Sequence, residues 1–276
     1  MSKIQCRICP HLCVLEEGQK GFCSARSNHD GVIRDDNYGM ITAIALDPIE
    51  KKPLYHFFPG SKILSVGSFG CNLRCSFCQN HEISMAEIQR KGTVYISPKD
   101  LIKKAQELIP KGNIGIAYTY NEPLIGYEYV RDGAIFAKKN GLKTVLVTNG
   151  YINKEPLLEL LPVVDAMNVD LKSFSEDFYK KIAGNIEPVK QSIELAAQQC
   201  HVEVTTLIIP KENDSPDEMR ELSGWIASIN NKIPLHISRF FPRYHMIDRA
   251  STPVDTVYSL ADIAREKLLY VYEGNC

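Results

Sequence analysis

Residues 63–80 read ILSVGSFGCNLRCSFCQN, and they set the reading of the whole chain. The run 63–67 is short, apolar and β-branched, which predicts a strand, and Gly67 and Gly70 end it in a loop carrying Cys71, Cys75 and Cys78. The same strand pattern returns downstream at 114–118, 144–148, 166–171, 202–209, 235–238 and 268–272. Between these runs lie stretches of helical period. Ser97-Pro98, Ser215-Pro216 and Thr252-Pro253 each read as a capping residue with proline at the first helical position, ahead of helices over 99–109, 217–229 and 254–267. Strand and helix in alternation imply parallel strands joined by right-handed crossovers. The predicted fold is α/β, a partial (β/α)6-type TIM barrel over 61–276, with too few units for a complete eight-unit barrel. Residues 1–60 break the pattern and read as a cysteine-rich N-terminal appendage.

Composition narrows the function. With 32 Lys+Arg against 33 Asp+Glu in 276 residues the formal net charge is -1, so no basic excess points to nucleic acid. No apolar run approaches the roughly 18 residues of a membrane span, and the first residues lack a signal-peptide core. A cytoplasmic protein is expected. Of nine cysteines, four (Cys6, Cys9, Cys13, Cys23) cluster near the start and three follow the first predicted strand. Tight local spacing and an odd total fit metal ligation better than a disulfide framework.

Ligand sites of parallel α/β folds gather at the C-terminal strand ends. The stretches there are 68–79, 119–123, 148–151, 170–173, 210–214 and 239–245, all polar or reactive. In the first, Cys-x3-Cys-x2-Cys can hold three irons of a 4Fe-4S cluster and leave the fourth iron open, with Gly67 and Gly70 letting the backbone wrap close to it. The competing reading is a zinc loop that borrows His81. Asn121-Glu122-Pro123 suits a helix cap as well as a ligand contact, Asn149-Gly150 suits a turn, and Asp170 with Lys172 suits an ion pair. His236, Arg239 and His245 are substrate candidates or simply hydrogen-bonded side chains. The four N-terminal cysteines suit zinc, a second iron-sulfur cluster, or free thiols that face the substrate.

The Cys-x3-Cys-x-aromatic-Cys run, with YTYNEP at 118–123, VTNG at 147–150 and NVDLK at 168–172, resembles the radical S-adenosylmethionine enzymes, in particular the branch of the pyruvate formate-lyase activating enzymes. CRICPHLC, GQKGFCSAR and DPIEKKPLYHFFPGS narrow the likeness to the AmmeMemoRadiSam-system radical SAM subfamily, whose members often carry a further cysteine-bearing tail. The resemblance implies a 4Fe-4S cluster on Cys71, Cys75 and Cys78 and S-adenosylmethionine as cofactor. It further implies Asn121, Glu122, Asn149, Asp170 and Lys172 near the methionyl and ribose groups, with Phe77 beside the adenine. The implied activity is reductive cleavage to a 5'-deoxyadenosyl radical that abstracts hydrogen, fed by a low-potential electron donor and acting on a glycyl-radical-type protein. Radical modification of a small molecule, peptide or RNA is the alternative activity, and an electron-relay or binding protein the alternative class.

Overall fold

The computed structural model describes residues 3–85 and 92–276. Eight strands form one sheet: β1 (Ala43–Pro48), β2 (Lys62–Gly67), β3 (Asn113–Tyr118), β4 (Lys143–Thr148), β5 (Ala166–Asp170), β6 (His201–Ile208), β7 (Leu235–Arg239) and β8 (Val271–Gly274). They lie in sequence order from β8 at one edge to β1 at the other. β2 to β8 are parallel, and β1 runs antiparallel to β2. The connecting helices include α1 (Pro98–Glu107), α2 (Tyr127–Lys139), α3 (Lys154–Leu160), α4 (Glu176–Lys181), α5 (Ile186–Ala197), α6 (Pro216–Asn230) and α7 (Val254–Arg265).

Ser97 and Ser215 cap their helices as expected, accepting from the Asp100 and Glu218 amides. Thr252 does not. Its hydroxyl donates 2.5 Å to the Ile208 carbonyl at the end of β6, and α7 starts from Pro253 with no side-chain cap. The hydroxyl oxygen accepts from the Phe240 amide at 3.3 Å, so both its donor and its acceptor sides are turned to the strand ends rather than to the helix.

Strand alternation sorts side chains to two faces. Leu64, Val66, Ile116, Tyr118, Leu146, Met167 and Val169 pack with the helices. Ile63, Ala117, Val145 and Ala166 face the other way and pack on Ile49, Leu54 and Phe57. The break expected at residue 60 therefore does not exist. β1 pairs with β2 along six residues, and the chain after it fills the inner face of the sheet.

Above that apolar layer the inner face is polar. Asn168 donates to the Pro53 carbonyl and Thr205, Lys52 pairs with Asp47 at 2.8 Å, and the fully buried Glu203 accepts from His201, His236 and the Tyr55 and His56 amides, at 2.6 to 3.0 Å. Burial alone would raise the pKa of Glu203, but its donors outweigh burial and hold it down, to about 2. A carboxyl whose pKa is depressed on folding contributes stability above its unfolded pKa and loses it as pH falls through the folded one. Glu203→Gln is expected to lose about 3 kcal/mol in urea unfolding at neutral pH. The deficit relative to wild type should shrink as pH falls from about 5 toward 2. A variant as stable as wild type at neutral pH would refute this role.

Candidate active site

The cysteine loop leaves β2 and is held mainly from outside itself. Both ends of the Asn121 carboxamide engage its backbone: the oxygen accepts from the Ser68 amide at 2.9 Å, and the nitrogen donates to the Phe69 and Gly70 carbonyls at 3.1 and 3.2 Å. Asn72, 1% exposed, donates to the Tyr151 carbonyl and accepts from Asn149. The Arg74 guanidinium donates to the carbonyls of Cys71, Leu73 and Phe22. Gly70 sits at φ +88°, where a Cβ would stand 2.6 Å from the Cys23 carbonyl oxygen. Its bareness thus serves contact with the N-terminal segment.

Cys71, Cys75 and Cys78 meet at one side of an open cavity of about 270 Å³ at the C-terminal strand ends. Across it stand Asp170, Thr205, Leu207 and Ser238, which alternation turns to the inner face. Burial raises all three thiol pKa values, Cys75 to about 12, so thiolates there need a bound cation. The Cys71 sulfur accepts from the Leu73 amide at 3.4 Å and from the Asn149 carboxamide at 3.7 Å. Three soft donors with amide support and no fourth cysteine or histidine among the described residues lining the cavity suit a cluster with one open corner. His81 does not supply a fourth donor to the loop. Its ring stacks on Tyr244 at 4.4 Å, with Nδ1 3.3 Å from the Cys78 carbonyl oxygen. Among the described residues no three cysteine, histidine or carboxylate side chains converge on a single ion.

Glu122 is a largely buried part of the cavity wall. It accepts from the Leu124 amide as a cap at 3.0 Å, and also from the Thr148 hydroxyl at 2.6 Å and the Asn149 amide at 2.7 Å. Burial raises its pKa to about 7 against these bonds. It thus caps and at the same time ties the end of β3 to the end of β4. Asp170 and Lys172 form an ion pair of 2.7 Å. Burial works against the Lys172 ammonium, but Asp170 outweighs burial and keeps the pKa above its ordinary value. Phe77 is buried, 6.0 Å from Phe178, and its edge reaches the cavity.

Two of the three substrate candidates stand elsewhere. His236 lies on the inner face of β7, in register with the cavity-lining Thr205, but is bonded to the buried Glu203 and is not among the residues that line the cavity. Arg239 has the parity of Ile237, whose side chain packs in the helix-side core, so it turns off the cavity. Its Nε donates to the Thr252 carbonyl at 2.6 Å, and its guanidinium rests 4.9 Å from the Phe241 ring. His245 does approach the site: it is exposed, and its amide donates to the Ser76 carbonyl of the cysteine loop at 2.9 Å. Sequence reading did not single out Asn72, Thr148 or Tyr120 as site residues. All three stood inside motifs already quoted, but nothing in the string distinguishes a polar side chain that braces a loop from one that faces solvent.

The four N-terminal cysteines lie in the segment docked against this loop. Cys6, Cys9 and Cys23 are buried, Cys13 is half-buried, and none forms a disulfide. Burial pushes Cys9 up to about 12 and Cys23 to about 11, each also feeling the negative charge of other members of the set.

A parallel sheet with helices on one face and a three-cysteine loop at its mouth defines a class, and the comparisons agree. The chain belongs to the radical SAM superfamily, whose family model matches residues 65–223. An uncharacterized protein of Methanocaldococcus jannaschii is 41% identical over 278 residues, covering 99% of this chain and 82% of that protein. The pyruvate formate-lyase 1-activating enzyme of Escherichia coli is 26% identical over 166 residues, 59% of this chain and 67% of that enzyme. The crystal structure of a domain of a pyruvate-formate lyase-activating enzyme from Bacteroides vulgatus superposes with a TM-score of 0.50 at 18% identity, over 58% of this chain and 99% of that one. The chain is accordingly a radical SAM enzyme, of the family that cleaves S-adenosylmethionine reductively at a 4Fe-4S cluster to obtain a hydrogen-abstracting 5'-deoxyadenosyl radical.

Asn121→Ala should cost about 1–3 kcal/mol in urea unfolding of the metal-free chain, because the loop amides and carbonyls lose their partners. Asn121→Asp, nearly the same shape, should be no better, since it turns a carboxylate on the Phe69 and Gly70 carbonyl oxygens. An aspartate variant as stable as wild type would contradict the assignment.

Proposed function

We propose that Cys71, Cys75 and Cys78 hold three irons of the cluster and that the open corner receives the amino and carboxylate groups of S-adenosylmethionine. Asp170 and Lys172 then face the ribose and methionyl groups, and Phe77 borders the adenine. Glu122 and Asn149 shape the wall between them, and Asn121 and Asn72 hold the loop in place. The observation that carries this reading is the shared cavity, lined by three thiols and by an ion-paired cationic and anionic side chain. The chain's own tasks are to orient the nucleotide, to keep the cysteine sulfurs under amide donors and to limit water.

The substrate in this reading is a glycine of a partner protein, from which the radical takes a hydrogen atom, with electrons supplied by a low-potential donor. Likeness to the activating enzyme supports it. So do the exposed Phe241 and Ile247 in the segment that the His245 amide ties to the cysteine loop, since apolar groups beside a site mouth suit a macromolecular partner. Nine cysteines without a disulfide fit a reducing compartment such as the cytoplasm. No helix among the described residues is long and apolar enough to cross a membrane.

Anaerobic protein reconstituted with iron and sulfide is expected to form 5'-deoxyadenosine and methionine under strong reductant, and Cys75→Ala is expected to lose the cluster absorbance and the cleavage together. Cleavage that survives in Cys75→Ala would overturn the ligand assignment. With a partner protein, a glycine-centred EPR signal is expected. Conversion of a low-mass substrate without that signal would favour a modifying enzyme instead. Asp170→Asn should weaken S-adenosylmethionine binding about tenfold, the equivalent of about 1.4 kcal/mol, with iron content retained. Unchanged binding would remove Asp170 from the cofactor site.

A further inference from the structure

Four cysteines outside the catalytic loop are not used by the function proposed above. Their segment is closed by short antiparallel pairing of Ile4–Gln5 with Val14–Leu15 and by the Cys6 amide on the Cys13 carbonyl at 2.9 Å. The Phe22 amide donates to the Cys13 sulfur at 3.5 Å. The segment is docked on the catalytic loop at three points. Gly70 backs onto the Cys23 carbonyl, Arg74 donates to the Phe22 carbonyl with its guanidinium 4.0 Å from the Phe22 ring, and His11 Nε2 lies 2.8 Å from the Asn72 carbonyl oxygen.

Asn72 and Asn149 join the two cysteine segments. The Asn72 carbonyl oxygen lies 2.8 Å from Nε2 of His11, between Cys9 and Cys13, and the Asn72 carboxamide accepts at 2.9 Å from Asn149, whose Nδ2 also lies 3.7 Å from the Cys71 sulfur. Asn72 and Asn149 are both buried, so the path from His11 to the Cys71 sulfur runs through packed, hydrogen-bonded protein. A purely structural zinc site needs no such connection.

We propose that Cys6, Cys9, Cys13 and Cys23 ligate a second, closed iron-sulfur centre that delivers electrons to the catalytic cluster through Asn72 and Asn149. The proposal rests on the ligand assignment made above for Cys71, Cys75 and Cys78. A reduced low-potential one-electron carrier gives up one electron to the N-terminal centre, and that centre is reoxidised as the electron passes to the catalytic cluster. There the electron enters the sulfonium carbon-sulfur bond, which breaks to methionine and the 5'-deoxyadenosyl radical. Four protein sulfurs leave the N-terminal centre no open corner, which suits relay rather than substrate binding.

The test is a metal count with spectroscopy on the full chain, reconstituted anaerobically with iron and sulfide. Wild type is expected to hold about eight irons, and a Cys71→Ser, Cys75→Ser, Cys78→Ser triple variant about four, with a 4Fe-4S Mössbauer signature in each. Should the triple variant fold poorly, the wild-type count and spectrum decide alone. About four irons in wild type together with zinc or no metal on the N-terminal set overturns this proposal and leaves the catalytic assignment standing. Failure of that assignment looks different: iron stays in Cys75→Ala along with cleavage. For the relay, Cys9→Ala should lower the ratio of cleavage driven by reduced flavodoxin to cleavage driven by dithionite about tenfold. An equal loss with both reductants would mean a structural role and overturn the relay.

Discussion

The account depends on a loop that cannot shape itself. Three cysteines within eight residues have few backbone partners of their own, and their thiols are buried where ionisation is unfavourable. Their placement comes from the ends of neighbouring strands. Asn121 after β3 clamps the loop backbone, Asn149 after β4 reaches the Cys71 sulfur, and Glu122 ties those two strand ends together by accepting from Thr148 and the Asn149 amide. The parallel sheet therefore does more than collect loops at one end: it fixes the spacing at which their polar side chains can brace the cysteines.

Beneath the cavity the inner face is unusually polar for a protein interior, and each group named there has its partner. Tyr120 illustrates the link. It holds a left-handed φ of +72°, costly for a tyrosine, while its hydroxyl donates 2.8 Å to Asp47 and the Lys52 ammonium lies 4.7 Å from its ring. Asp47 is on β1 and Lys52 follows it. The first sixty residues thus supply part of the floor beneath the site, which is why they cannot be treated as an appendage.

The alternation of strands and helices was legible because parallel strands buried on both faces leave continuous apolar runs, and serine-proline pairs mark helix starts by a local mechanism. The predicted strands fall within a few residues of those observed. The antiparallel β1 was missed because Ala43–Pro48 carries no clean alternation and pairs only at the sheet edge. The cysteine spacing was legible because sulfur chemistry needs those atoms on one short loop. Arg239 misled because sequence proximity to a strand end says nothing about which face a side chain occupies, and His236 because its bond to Glu203 forms only in three dimensions. Glu203 shows the converse: a carboxylate within an apolar strand was readable as a misfit, but its partners at residues 55, 56, 201 and 236 come together only in three dimensions.

The central claim is that one iron of the catalytic cluster has no protein ligand and takes its donors from the nucleotide. Electron-nuclear double resonance on the reduced, 57Fe-loaded enzyme with S-adenosylmethionine labelled with 15N at the amine and 17O at the carboxylate tests it directly. The account requires hyperfine coupling from both labels and a single iron site altered on binding. A cluster whose irons are all indifferent to the labelled cofactor would contradict it.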